Sequence, residues 1–130
     1  MKLSRAAGYG IHAVVYIAKQ KRGEKTLAKS IAKDYRLPRE SLLKILQQLV
    51  RAQILRSTRG PAGGFRLGRS AARISLADII EASDGPIMSQ PGFDDGAGDA
   101  KIKRAVGRLC KKSARQIQET FGSVSVVDLV

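Results

Sequence analysis

Residues 50 to 68 read VRAQILRSTRGPAGGFRLG, and this stretch decides the fold. Ile54-Leu55-Arg56-Ser57-Thr58 predicts one β-strand and Phe65-Arg66-Leu67 its antiparallel partner. Between them, Arg59-Gly60-Pro61-Ala62-Gly63-Gly64 supplies the glycines and proline of a tight turn, residues that strand interiors tolerate poorly. Arg56, Arg59, Arg66 and Arg69 sit on or beside this ribbon. A basic ribbon joined directly to an amphipathic helix has the shape of a winged helix-turn-helix. In that arrangement the helix enters the major groove of DNA and the wing lies beside it. Taken alone, the same stretch also fits a surface hairpin with solvated arginines.

The helix that runs into the ribbon is predicted over Pro38 to Ala52. Leu42, Ile45, Leu46 and Leu49 keep the i, i+3, i+4, i+7 spacing of a buried stripe, flanked by Leu43 and Val50. Glu40, Ser41, Lys44, Gln47, Gln48 and Arg51 form the opposite, polar face. Pro38 suits the first turn, where its missing N–H costs nothing. In a helix-turn-helix the first residues of the second helix reach base edges and later ones reach phosphate. Arg39, Glu40, Leu43 and Lys44 are therefore the candidates for base readout, with Pro38 and Gln47 beside them. Arginine or lysine reads guanine, glutamate accepts from cytosine, and leucine packs on a thymine methyl. Upstream, Thr26 is expected to cap a short helix from Leu27 to Lys33 with Leu27, Ile31 and Ala32 inward, and Asp34 to Leu37 form the turn. A first helix is predicted over Ser4 to Lys19, capped by Ser4, with Ile11, Val14, Val15 and Ala18 on its apolar face. Ser4, Arg5 and Tyr9 are candidates for phosphate contact. His12, the single histidine, has no Cys, His or acidic partner at ligand spacing.

Downstream of the wing, Ser75 and Asp78 form an S-x-x-D capping box at the head of a helix over Leu76 to Ser83. Leu76, Ile79 and Ile80 face inward, and Asp84-Gly85-Pro86 stops it. Ile87 to Asp99 is rich in Gly, Pro and Asp and reads as a flexible loop. Ala100 to Phe121 then predicts a helix about 30 Å long. Ile102, Val106, Leu109, Ser113, Ile117 and Phe121 lie near one of its faces among many lysines and arginines. An apolar face that long, following a complete small domain, asks for another surface, and a symmetric partner is the economical answer. Ser125 to Val130 begins a further turn that folds back on the core. The expected class is mainly α with a small β-hairpin wing. Residues 1–86 form the DNA-binding domain, 87–99 the loop and 100–130 the dimerisation segment.

Composition narrows the function. Lys and Arg total 24 against 11 Asp and Glu, so the net charge is +13 and the partner is expected to be a polyanion, nucleic acid first. Hydrophobic residues make up 43% but aromatics only 5%, so the core is aliphatic and stacking platforms for RNA are few. Tyr9, Tyr16, Tyr35, Phe65, Phe93 and Phe121 are poorly spaced for that role, which leaves an RNA-binding or ribosome-associated protein as the alternative function. No apolar run approaches the roughly 18 to 20 residues that span a bilayer. No signal-peptide core is visible, and a cytoplasmic protein is expected. No P-loop, Ser–His–Asp or Cys–His constellation supports an enzyme.

Two segments together are more specific than any bare helix-turn-helix pattern. Arg59-Gly60-Pro61-Ala62-Gly63-Gly64-Phe65-Arg66-Leu67 is similar to the RGPGGGYxL wing of the Rrf-two family of bacterial winged-helix repressors, which includes the regulators IscR, NsrR and CymR. Ser75-Leu76-Ala77-Asp78-Ile79-Ile80 followed by Gly85-Pro86 resembles the family's next helix, and Lys2-Leu3-Ser4 through Tyr9 to Ala18 and Val127-Asp128-Leu129 also fit. The resemblance implies a homodimer on a palindromic operator, with the third helix in the major groove and Arg59, at the wing tip with Gly60, in the minor groove. It also marks a departure. Members that sense through an iron–sulfur cluster carry three cysteines in and after the loop, whereas this chain has Cys110 alone. One thiol per chain, two per dimer, cannot hold a four-ligand cluster. The expectation is therefore no cofactor. The effector is left open among a small molecule, a partner protein and a thiol signal at Cys110, beside Arg108, Lys111 and Lys112.

Overall fold

A computed structural model describes residues 2–61, 63–87 and 96–130. The chain forms α1 (Arg5–Ala18), α2 (Ala28–Tyr35), α3 (Arg39–Arg51), β1 (Leu55–Thr58), β2 (Gly64–Leu67), α4 (Leu76–Asp84) and α5 (Ala100–Gly122). Single 3-10 turns cover Ala71–Arg73 and Val126–Leu129. This is a mainly helical winged helix-turn-helix with a two-stranded wing and a long C-terminal helix, as the sequence predicts.

The core is aliphatic. Val14 of α1, Ile31 of α2, Leu42, Leu46 and Leu49 of α3, and Ile79 of α4 have no exposed surface. Each such side chain contributes about 1.5–3 kcal/mol by leaving water. On α1, burial favours Ala7, Gly10, Ala13 and Ile17 alongside Val14 and Val15, while Ile11 and Ala18 are only half-buried. Small residues lie there because α1 crosses α4 closely. A side chain at Gly10 would collide with the Ser83 hydroxyl and crowd the Ile79 methyl at 3.2 Å. The caps follow the sequence. Ser4 Oγ accepts from the Ala7 N–H at 3.1 Å, and Ser75 and Asp78 exchange reciprocal bonds, each 3.0 Å, at the head of α4.

Between α2 and α3, Arg36 takes the left-handed conformation (φ 55°) and the Leu37 N–H reaches the Ala32 carbonyl at 3.0 Å. This closes the tight turn that sets α3 against α2. Tyr16 pins α1 to the same turn. Its hydroxyl donates to Asp34 Oδ2 at 2.5 Å, and its ring meets Tyr35 edge-on with centroids 5.3 Å apart.

The wing is a regular hairpin in which Leu55 pairs with Leu67, Arg56 with Arg66, Ser57 with Phe65 and Thr58 with Gly64. Thr26, expected to cap α2, instead forms a bridge to Phe65 through two 2.8 Å backbone bonds on the edge of β2 opposite β1. Leu27 then occupies the N-cap position of α2 and points outward, 43% exposed, where the sequence pattern had it inward. Ala28 and Ile31 are buried instead. At the C-terminus, the Val126 N–H donates to the Ile74 carbonyl at 2.8 Å, and Val126 is fully buried in the main core. Most of the predicted Gly-rich loop, residues 88–95 with Phe93, lies outside the described residues. Its last residue, Asp99, caps α5 by accepting from the Lys101 and Ile102 N–H groups at 2.9 and 3.1 Å.

Candidate nucleic-acid interface

The helix α3 presents two faces. Leu42, Ile45, Leu46 and Leu49 are buried, while Glu40, Ser41, Lys44, Gln47, Gln48 and Arg51 are all exposed. Pro38 and Arg39 are exposed at its head. Leu43 is half-buried and packs against the core, so only part of it faces outward. Side chains cap α1, α4 and α5, whereas α3, like α2, has no side-chain cap. Its first N–H groups and the positive end of its dipole are therefore directed outward beside Arg39, an arrangement that favours a phosphate.

The wing meets this face from the side. Arg59 and Gly60 are exposed at the tip, and the turn closes through a 2.8 Å bond from the Gly63 N–H to the Gly60 carbonyl. Gly60 adopts φ 94°, which glycine occupies without strain, and a side chain on Gly63 would strike the Thr58 carbonyl. A groove of about 520 Å³ joins helix to wing. Gln47, Val50 and Arg51 line one wall, and Ser57, Thr58, Arg59, Gly64 and Phe65 the other. Arg51, Ser57 and Thr58 are residues of this groove that the sequence pattern did not single out. A helical-wheel reading places Arg51 on the polar face, but only the hairpin register brings it opposite the wing. Arg56 and Arg66 face each other across the two strands. Like charges directly opposite are destabilising in an isolated sheet, so this ribbon is favourable ground for an anion.

Ser4, Arg5 and Tyr9 lie at the head of α1. Ser4 is half-buried and occupied as the α1 cap, Arg5 is exposed, and Tyr9 is half-buried against the core. Arg66 is half-buried, with its Nε shielded from solvent and without an acceptor. It lines a separate cleft to which α3 contributes no residue.

The helix α5 carries no buried residue along about 35 Å. Its C-terminal part rests on its own chain. Gln118 Nε2 donates to Glu81 Oε1 at 2.7 Å, and Ile117 and Phe121 border a hollow with Leu3, Ile80 and Pro86. The N-terminal part stands clear, with Ile102 59% and Leu109 63% exposed, Val106 half-buried and Ser113 exposed. Cys110 is half-buried on this helix.

A helix-turn-helix with a basic wing on its flank defines a DNA-binding transcriptional regulator. Comparison with known proteins makes the class specific, because the Rrf2 family profile, described as an iron-dependent transcriptional regulator, matches residues 3–130. The chain belongs to the Rrf2 family of helix-turn-helix transcriptional regulators, which bind DNA and are not enzymes. It is 29% identical to the HTH-type regulator BadM of Rhodopseudomonas palustris over 133 aligned positions, covering all of this chain and 81% of BadM. An HTH-type regulator of Mycobacterium tuberculosis is 34% identical over 99 residues, which span 76% of this chain and 60% of that protein. Among solved structures, CymR, the global cysteine regulator of B. subtilis, superposes with a TM-score of 0.78 at 27% identity, covering 99% of this chain and 95% of CymR. IscR of T. potens gives 0.74 at 27% identity, covering 99% and 85%.

The family's iron has no matching donor set here. The sequence holds one cysteine and one histidine. His12 stands on α1 with Nδ1 2.7 Å from the Gly8 carbonyl, and Cys110 is on α5. Among the described residues no three His, Cys, Asp or Glu side chains gather at metal-binding distance. An iron–sulfur centre does not fit these residues. Among the described residues, no helix is long and apolar enough to cross a membrane.

Proposed function

We propose that this protein is a sequence-specific, homodimeric repressor that binds a palindromic operator. Residues 1–86 form the DNA-binding domain, residues 87–99 link it to the rest, and residues 100–130 carry the dimer contact. In this reading α3 enters the major groove. Arg39, Glu40, Leu43, Lys44 and Gln47 face base edges, and the uncapped head of α3 receives a phosphate beside Pro38. Arg59 and Gly60 at the wing tip enter the adjacent minor groove, where narrow A·T-rich segments attract arginine. Ser4, Arg5 and Tyr9 meet the backbone on the far side. Ile102, Val106, Leu109 and Ser113 pair with a second copy, with Ile117 and Phe121 at the margin where α5 rests on its own chain. Two such domains related by a two-fold axis match a two-fold operator.

The observation that carries this reading is the groove shared by Gln47 and Arg51 of α3 and Arg59 of the wing. It sets the exposed face of α3 beside the wing-tip arginine, which supports a reading in which the helix takes the major groove and the wing the adjacent minor groove. The chemistry is charge neutralisation of phosphate followed by direct readout, with no step routed through iron. Signal reception then belongs to a small molecule, a protein partner or the Cys110 thiol.

The test is fluorescence anisotropy of the full chain against duplex DNA from upstream of its own gene. Random duplex and an RNA hairpin serve as competitors at two salt concentrations. Binding that survives random duplex at the higher salt supports the reading, and Arg59→Ala is expected to weaken it by about 1–3 kcal/mol. Equal affinity for every duplex, or preference for the RNA hairpin with collapse in salt, contradicts it.

A further inference from the structure

The base of the wing holds a second basic cleft, of about 660 Å³, away from the groove that α3 shares with the tip. Lys21 and Arg22 of the α1–α2 loop face Arg66 and Arg69 across it, and Glu24 is the one acid in its walls. Ile17, Ala18 and Leu67 add apolar surface. The volume lies within the range of small-molecule sites, about 300–1,000 Å³.

Four cations around one acid leave the cleft strongly positive. Arg69 is partly engaged, with Nη2 3.5 Å from Asp78 Oδ2. Among the described residues, Lys21, Arg22 and Arg66 have no carboxylate at ion-pair distance. The last turn of α1 lines the cleft with Ile17 and Ala18, so the negative end of its dipole and Glu24 oppose an anion. Three unpaired cations outweigh them. Arg66 Nε is shielded from solvent and has no acceptor within the described residues, so an incoming anion would satisfy it. A planar guanidinium matches phosphate or carboxylate oxygens through paired N–H donors.

Position separates this cleft from the DNA surface. Arg66 lies two residues, about 7 Å, behind Gly64 at the turn, and Leu67, Arg69 and Ser70 lie further back. The loop wall leads directly into Thr26, whose bridge to Phe65 fixes it to the edge of β2 opposite β1. We infer that this cleft is a binding site for a small multivalent anion carrying phosphate or several carboxylates, gripped between the α1–α2 loop and the base of the wing. The inference stands apart from the operator reading, because none of its residues belongs to α3 or to the wing tip.

The experiment is an amide NMR titration of the full-length protein with inorganic pyrophosphate and, separately, citrate, at constant ionic strength. Saturable shifts confined to residues 20–24 and 66–70 are expected. Arg66→Gln is expected to weaken binding by roughly tenfold with spectral dispersion retained. Lys112→Gln, which removes the same charge on α5, leaves the affinity within about twofold. Shifts that fail to saturate for both anions, or that spread equally over the cations of α3 and α5, overturn the site. A parallel titration with operator duplex completes the test. Cleft resonances that move with DNA and ignore both anions reassign the cleft to the DNA backbone and overturn the proposal while leaving the regulator reading intact.

Discussion

The helices α3 and α5 are both amphipathic, yet one spends its apolar face inside the chain and the other keeps it outside. Over thirteen residues α3 buries four aliphatic side chains, and three of them have no exposed surface. Over twenty-three residues α5 buries none. The difference follows from neighbours rather than from helix chemistry. α3 lies between α1, α2, α4 and the wing, so its stripe is enclosed by the domain that its polar face serves. α5 touches its own chain chiefly through α4, near Gln118 and Phe121, and its first half extends past the domain. A stripe enclosed by its own chain stabilises a fold, whereas a stripe left open is available to a partner.

The largest effect is expected where α3 is enclosed. Leu46→Ala removes a fully buried side chain and should cost about 3–5 kcal/mol in urea denaturation, a large fraction of the roughly 5–15 kcal/mol that holds a domain folded. A loss below about 1 kcal/mol would mean that the α3 stripe is not the core. Next comes Leu109→Asp on the open half of α5. It should leave the far-ultraviolet spectrum unchanged while weakening self-association by about 2–3 kcal/mol, roughly a hundredfold. If association were unaffected, the partner surface would lie elsewhere.

A smaller change tests the helix on which α5 rests. Ser75→Ala breaks one half of the α4 capping box and should lower stability by about 1 kcal/mol, read as a shift in thermal midpoint. The smallest concerns Tyr16. Its hydrogen bond to Asp34, first, and then its burial hold the phenol above the ordinary tyrosine value of 10.0. A folded-state pKa raised in this way gives stability that is fully present below pH 10 and fades as the pH rises through the folded value. The stability gap between wild type and Tyr16→Phe should therefore shrink at alkaline pH. A gap that stays constant would remove Tyr16 from the contacts that seat the α2–α3 turn.

Local patterns were legible in the sequence and long-range pairings were not. The α3 stripe, the Ser75–Asp78 box and the extent of α5 each rest on residues within one or two turns of each other. Thr26 looked like a helix cap because hydroxyl residues favour that position. Its actual role, a bridge to Phe65, depends on backbone bonds across thirty-nine residues that leave no local signature. Leu27 was misplaced for the same reason, since the bridge shifts the start of α2 by one residue. Ala7, Gly10 and Ala13 are buried through the close crossing of α1 on α4, and small residues add little to an apolar count. At the candidate interface, the exposed polar face of α3 and the tip arginine were readable. The partnership of Arg51 with Ser57 and Thr58 required the hairpin register. Arg66, a wing arginine visible in the sequence, lines a cleft that α3 does not share, and only the fold shows that.

The most direct measurement is sedimentation velocity of the wild-type chain and Leu109→Asp over a range of concentrations. The expected result is a wild-type species of twice the 14.0 kDa chain mass and a variant at 14.0 kDa with an unchanged helical spectrum. A wild-type protein that sediments at 14.0 kDa at every concentration would contradict the claim that a second copy covers the open face of α5.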